Sequence, residues 1–470
     1  MIRPANRSWW MEEALAEPSL DGEPTPPLAS DTQADVVVMG GGYTGMWTAW
    51  FLKEREPDLD VVVLERDVCG GGPSGRNGGF CNGFWEDLEI LVGLFGVAGA
   101  LEVCRAAERS VEEIGAWCDR HDVDAWYTPS GHLGVATSAA QEGAWRDWYA
   151  LMVRLAVDDG RIELQSPEQV AERCRSPVFG GGVLTPRAAT LQPARLARGL
   201  RRELVARGVR VFERTPVLRF RGGASPQVQT PGGSVRAGHA ILGMGAYMAP
   251  LRHFRRAIVP RGTYIVLTEP IPERLEALGW TGGEGIYDFR TALHYLRTTR
   301  DGRLAFGSAA AVAGLGVGLG PRLDFDERSV DMVVTDLARM FPTLANARLD
   351  CAWGGPMDVT GWHVPSFGTF AGGRVHFGVG YTGGGVGPCH LGGRILSGLA
   401  LGIEDEVTRL PLVGLEPKRF PPEPFRSPGA LLTQKAIIRR DAARDEGRRP
   451  NPAVDLVARL PRRLGYNLGP

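Results

Sequence analysis

Asp35–Arg55 reads DVVVMGGGYTGMWTAWFLKER, an apolar run, a glycine turn and a helix in immediate succession. The run Val36–Met39 shows no polar alternation, which is the texture of a parallel strand covered on both faces. Gly40-x-Gly42-x-x-Gly45 follows directly. In this arrangement the first glycine makes the tight turn and the second lets the backbone approach a pyrophosphate. The third lets helix and strand pack closely. Unpaired N–H groups at the helix start then favour phosphate. A second apolar run, Val61–Leu64, ends at Glu65, 20 residues beyond Gly45. A carboxylate there can accept hydrogen bonds from a ribose diol and disfavours a 2′-phosphate. The predicted dinucleotide cradle comprises Gly40, Gly42, Tyr43, Thr44, Gly45, Glu65 and Arg66.

Around this stretch the composition is ordinary for a globular enzyme, 43% hydrophobic and 23% charged over 470 residues. That length predicts two closely packed lobes rather than one core. A net charge of -1 offers no reason to expect nucleic acid. Seven cysteines without a CxxC spacing suggest neither a disulfide framework nor a metal site. The most apolar stretch, Ile90–Val103, reads as too short for a transmembrane segment, and a reducing cytoplasm is the expected location.

After Glu65 comes a second glycine loop, CGGGPSGRNGGF (69–80). With this loop the sequence resembles the D-amino-acid oxidase superfamily of flavoproteins, in its glycine oxidase, sarcosine oxidase and gamma-glutamylputrescine oxidoreductase branch. Its texture also resembles proteins described as acting on aminophosphonates. The resemblance implies FAD, bound noncovalently, with Gly72, Ser74, Arg76, Asn77, Gly78 and Gly79 along the pyrophosphate and flavin ring. It places Val217, in RTPVLRF, beside the adenine, and Gly243 and Gly245, in ILGMGAY, near the FAD. GVGYTGGGVGP (378–388) resembles the C-terminal flavin motif, bringing in Tyr381, Gly383, Gly384, Gly385 and Val386. The helix starting there would aim its dipole at the flavin N1/C2 carbonyl.

The fold class expected is α/β, a discontinuous Rossmann-like FAD-binding domain joined to an antiparallel-sheet α+β substrate domain. The expected segments are an arm (1–30), FAD-binding pieces at 31–115, 186–255 and 351–405, substrate-domain pieces at 116–185 and 256–350, and a basic extension (406–470). Helices are predicted over Leu88–Val103 and Arg109–Arg120. From Lys435 onward nine Lys/Arg face four Asp/Glu, read as a solvated helix clasping the body, with membrane-surface or partner docking as the alternative.

The resemblance implies oxidation of a C–N bond in a small amine or amino-acid-like substrate, with O2 or another electron acceptor. Such chemistry needs positioning more than acid–base groups. Two departures stand out. Where amino-acid oxidases of this kind carry an arginine in Gly-x-Arg-Pro, this chain has Gly355 in WGGPMDVTGWH. The lysine that sarcosine oxidases place over the flavin has no counterpart, because Lys53, Lys418 and Lys435 are the only three. The catalytic candidates are Tyr295 and Arg297, sharing one face of HYLRT by alternation, with His294 and Arg290 behind them. Trp85, Tyr264, Trp362 and His363 are further pocket candidates. Cys389 is the one cysteine beside the flavin motif. An aromatic-type monooxygenase would show a GDAAH-type motif where GVGYTGGG stands. Oxidation of a non-amine molecule, or a silent FAD-binding scaffold, stays open.

Overall fold

The computed structural model describes residues 3–4, 7–22, 24–309 and 318–467. Helix α1 (Trp9–Leu15) precedes β1 (Thr32–Met39), α2 (Tyr43–Arg55) and β2 (Val61–Leu64). A long helix, α3 (Leu88–Arg120), leads out to β3 (His132–Val135) and β4 (Gly182–Thr185). The chain returns through α4 (Pro193–Ala206), β5 (Arg210–Phe212) and β6 (Gly233–Leu242). A second excursion holds β7 (Val259–Thr268), β8 (Gly285–Asp288), β9 (His294–Thr298) and β10 (Leu304–Ser308). It continues through α5 (Glu327–Met340) and β11 (Leu349–Val359). Then come β12 (Ser366–Phe370), β13 (Val375–Val379), α6 (Val386–Leu401), α7 (Arg426–Asp445) and α8 (Pro452–Arg463).

One sheet is built on the parallel order β13-β6-β1-β2-β5, with β12 antiparallel at the edge. Its strands are apolar on both faces because both are covered. Val36, Val38, Val61 and Val63 join the core that α2, α3 and α6 share. Val37, Met39, Val62 and Leu64 join a separate core on the other side. Seven strands of the second, nine-stranded sheet run β11-β7-β10-β9-β8-β3-β4, antiparallel except between β8 and β3, with Arg3–Pro4 parallel to β11 at one edge and Glu163–Gln165 antiparallel to β4 at the other. Leu296, Phe306 and Val266 lie on its outer face, under Val330, Val333 and Leu337 of α5.

Two helices do span residues 88–120, but the break between them falls at Gly96 (φ 69°, ψ 175°), not between Val103 and Arg109. Polar Glu108 stays helical because it is buried and paired, accepting from Trp85 Nε1 at 3.1 Å and bridged by Arg161 at 3.0 Å. The second helix therefore runs unbroken through residues 103–109, where a gap was expected. By length and composition the segment Trp85–Arg120 is sufficient to cross a membrane. Its second half is a core helix, with Val103, Ala107, Val111, Ile114 and Trp117 buried.

Candidate functional site

Three chain segments converge where β1 ends. Gly40 has φ 105°, a conformation L-residues rarely adopt, and a Cβ there would stand 2.8 Å from Gly243 O. Gly243 in turn sits against Gly45, where a Cβ would meet Gly40 O at 2.0 Å. This close packing aims the start of α2, whose N-cap Gly42 supplies no side-chain cap, at the Gly70–Gly79 loop. Ser74 Oγ accepts from Tyr43 N–H at 2.9 Å, and Gly72 faces open space. Thr44 is buried and donates to Cys389 Sγ at 3.2 Å, tying α2 to α6. Glu65 closes β2, its two oxygens accepting from Gly41 N–H (2.8 Å) and Asp67 N–H (2.9 Å). Arg66 stacks on Tyr247 and donates to its hydroxyl at 2.8 Å, just after Gly245. Val217 lies two residues beyond Thr215, whose N–H donates to Glu65 O. These features suit a dinucleotide: a helix start without a side chain of its own at the N-cap, glycines where a Cβ would fill the cradle, and a carboxylate at the ribose position.

The loop continues as a ligand-facing wall. Asn77 holds its own turn, donating to Ser74 O and accepting from Gly79 N–H. Arg76 staples the loop to β11, donating to Gly71 O at 2.9 Å and Gly354 O at 3.0 Å. Its Cβ packs 3.3 Å from where a Gly355 Cβ would be, so side-chain volume at Gly355 would displace it. The arm contributes as well: Ser8 Oγ donates to Gly75 O at 2.5 Å, and Trp10 is fully buried against Trp353. Opposite, α6 begins at Val386 with N-cap Gly385 and no side-chain cap. The turn Gly380–Gly385 before it is ordered by Asp358, which accepts from Gly380 N–H at 2.7 Å.

Between these walls stands the inner face of the second sheet. Tyr287 and Tyr295 are paired across β8 and β9, so their side chains share that face. Each ring occupies the space over a glycine of the neighbouring strand, Tyr287 over Gly134 and Tyr295 over Gly307. Tyr295 also meets Gly78, and its hydroxyl is 2.7 Å from Thr263 Oγ1. Met357 Sδ, on β11, reaches within 3.0 Å of a Gly383 Cβ position. The inner face is thus apposed to both glycine loops.

Of the predicted catalytic residues, the structure brings only Tyr295 to an open position there. Arg297 shares the face but is enclosed, 4% exposed, donating to Leu191 O and Thr298 O and lying over Trp10. It props the Gly79 segment. His294 and Arg290 are off the inner face altogether. His294 is fully buried on the α5 side, 2.7 Å from Asp288 and 2.9 Å from Asp336. Arg290 bridges Asp445 at 3.2 Å and Asp336 at 3.5 Å. Alternation assigned the two faces of β9 correctly, while the acidic partners of His294 come from distant segments that no local pattern announces. Tyr264 also points outward, its hydroxyl donating to Arg322 O. Trp85 is core, and Trp362 lies under the C-terminal segment, donating to Glu416 O.

A family model described as FAD dependent oxidoreductase matches residues 35–399. The chain belongs to that family. This oxidoreductase is 29% identical over 383 residues to gamma-glutamylputrescine oxidoreductase of Escherichia coli, covering 81% of this chain and 86% of that protein. It is 27% identical over 392 residues to the probable oxidoreductase OrdL of Haemophilus influenzae, covering 82% and 86%. Among solved structures it shares its fold with glycine oxidase of Geobacillus kaustophilus (TM-score 0.62, 18% identity, 79% of this chain and 96% of that one). It also shares it with L-proline dehydrogenase of P. horikoshii (TM-score 0.64, 19% identity, 82% and 96%). The cofactor of the family is FAD, and the cradle described above has the groups to hold it.

Three carboxyl groups of this oxidoreductase were not singled out by sequence, since acidic residues in loops carry no periodic signal. Burial pushes Glu86 up to about 7, with the nearby Tyr287 hydroxyl opposing it. Burial and then Glu86 push its neighbour Asp87 up to about 7. Burial likewise pushes Asp358 up to about 6, against the N–H donors of the Gly380 turn. A carboxyl whose folded pKa lies above its unfolded value stabilises the fold at low pH, and that contribution is lost as pH rises through the folded value. The melting temperature should therefore fall from about pH 4 to about pH 7 and level off above that, and Glu86→Gln should flatten that fall. An unchanged profile in the variant would assign the titration to another group. Cys389 is pushed up to about 12 by burial, which disfavours the thiolate that a covalent attachment would need.

Proposed function

We propose that the protein oxidises a C–N bond of a small amine or amino-acid-like substrate between the Gly78/Gly383 loops and the inner sheet face. When bound, FAD supplies the acceptor for the α-carbon hydride at its N5, and the resulting imine hydrolyses. The observation that carries this reading is the inner face itself: two tyrosine rings packed over Gly134 and Gly307, with the Glu86 carboxyl beside Tyr287 at its edge. An aromatic floor positions a small substrate, and a carboxylate at its rim holds an ammonium group before it loses its proton. The relatives named for gamma-glutamylputrescine and glycine oxidation support the amine class.

The acceptor is a separate matter. Lys53 caps the end of α2, donating to Pro57 O and Leu59 O, and Lys418 donates to Leu464 O and Gly465 O. Lys435 is exposed on α7. Reoxidation by O2 would thus proceed without a lysine on the inner face. The test is anaerobic titration of the flavin-loaded protein with a panel of amines and amino acids, followed by air. Bleaching of the flavin absorbance by an amine is expected, and the speed of recolouring separates oxidase from dehydrogenase. Protein that carries flavin yet is bleached by no amine would overturn the reading.

A further inference from the structure

Helices α7 and α8 lie beyond the family match, which ends at residue 399. They pack on each other and on the turn joining β8 to β9, where Ala292 meets Ala436, Ile437 and Ala458. Between them and the turn is a cleft of about 510 Å³. Its floor is Phe289 and Thr291 from the turn, with Ser138 and Gln141 alongside. Its charge is one-sided: Arg290, Arg440, Arg444, Arg459, Arg462 and Arg463 line it, against Asp441 and Asp445.

Those two carboxylates are already shared. Asp445 lies 3.2 Å from Arg290 and 3.6 Å from Arg339. Asp441 lies 3.3 Å from Arg440 and accepts from Ala292 N–H. Asp455, just outside, serves Arg459 at 2.8 Å and Arg444 at 3.8 Å. The excess positive charge is held in place. Arg440 is 8% exposed and donates to Thr291 Oγ1 at 2.6 Å, fixing its guanidinium at the cleft floor. Burial, then the guanidinium of Arg440, pushes Arg444 below the usual arginine range, the effect expected where like charges are gathered without full compensation. Guanidinium groups converging on one concavity match the planar, multiply charged oxygens of phosphate better than any neutral ligand.

We propose that this cleft is an anion-binding site for a small molecule bearing a multiply charged oxyanion, phosphate or diphosphate. The ligand could arrive by itself or as the anionic end of the molecule that is oxidised, since Phe289 on the cleft floor also touches the Gly134 position of the inner face. The site stands independently of the amine reading.

The probe is inorganic pyrophosphate, titrated calorimetrically into the flavin-loaded protein so that the dinucleotide cradle is already filled. Sodium chloride at matched ionic strength is the blank. Saturable binding is expected, weakened at least tenfold in Arg459→Ser/Arg463→Ser. Both residues are exposed and the variant loses only the exposed Arg459–Asp455 pair, so without ligand it should melt close to the parent. Arg219→Ser, exposed on a remote strand, should leave binding unchanged. Binding that also raises the amine KM without changing kcat assigns the cleft to the substrate's own anionic end. Binding that leaves KM unchanged assigns it to a separate ligand, and either result sustains the site. No saturable binding, or equal binding by the double variant, overturns it.

Discussion

Gly45→Ala should purify with little or no flavin and melt several degrees below the parent. A Cβ at this position would stand 2.0 Å from Gly40 O and 2.9 Å from Val38 Cγ1. Neither neighbour can step aside. Gly40 N–H is bonded to Leu64 O at 2.9 Å, which locks the turn, and Val38 is wholly buried. The remaining way to relieve the clash is for α2 to lift off β1. Overpacking of this kind costs about 1–3 kcal/mol when side chains can adjust, and more when the obstacle is backbone. Lifting α2 also moves the N–H groups on which the proposed pyrophosphate contact depends, so cofactor and stability should fall together. Gly72→Ala is the contrast: its φ is −80° and no atom lies within 4 Å of the added Cβ. It should melt with the parent. Flavin-to-protein absorbance ratios and melting curves of both proteins check this. A Gly45→Ala protein with full flavin and parental melting would detach the cradle from the β1–α2 contact.

The second large effect is expected at Glu213, a site with no resemblance to any functional motif. Its carboxylate is 3% exposed and lies 2.6 Å from Arg198 and 3.7 Å from Arg201, both also buried. It accepts from Cys69 N–H at 2.7 Å and from Thr25 Oγ1 at 2.8 Å. One side chain thereby joins α4, the N-terminal arm and the start of the Gly70–Gly79 loop. Burial alone would raise its pKa, but the Arg198 guanidinium and the hydrogen bonds from Cys69 and Thr25 outweigh that and hold it low. With a depressed folded pKa, its stabilisation is present above the unfolded carboxylate pKa and lost as pH falls through the folded one. Glu213→Gln leaves two buried guanidiniums without this counter-charge, a change that typically costs 3–5 kcal/mol. The urea midpoint should drop accordingly at neutral pH, and the difference from the parent should shrink in acid. Since Cys69 opens the proposed flavin loop, the variant should also release FAD more readily. A midpoint equal to the parent's would mean that other contacts of Arg198 and Arg201 carry the network.

The proposed cradle was legible because its signals are local. Gly40, Gly42, Gly45 and Glu65 occupy positions where backbone conformation and phosphate approach restrict residue choice, and those restrictions act within one strand–turn–helix unit. The clean apolar runs at Val36–Met39 and Val61–Leu64 announced a sheet covered on both sides for the same reason. Alternation in HYLRT separated Tyr295 from His294. It could not say which face looked at the glycine loops, because that depends on where α5 and the Gly78 segment pack. Nor could it show that Arg297 is sealed by Trp10 and Leu191, residues brought in from the arm and from the approach to α4.

The sequence by itself determined that this chain turns a parallel strand into a helix through glycines suited to a dinucleotide, and that an antiparallel sheet accompanies it. Those are consequences of φ/ψ limits, hydrogen-bond satisfaction and hydrophobic periodicity, which act over a few residues. Tertiary structure alone decided which carboxyls have raised pKa values at Glu86, Asp87 and Asp358, which arginines are enclosed, and that the basic C-terminal helices close a cleft. Burial and electrostatic environment depend on every segment that packs nearby, and those neighbours are set by the fold as a whole.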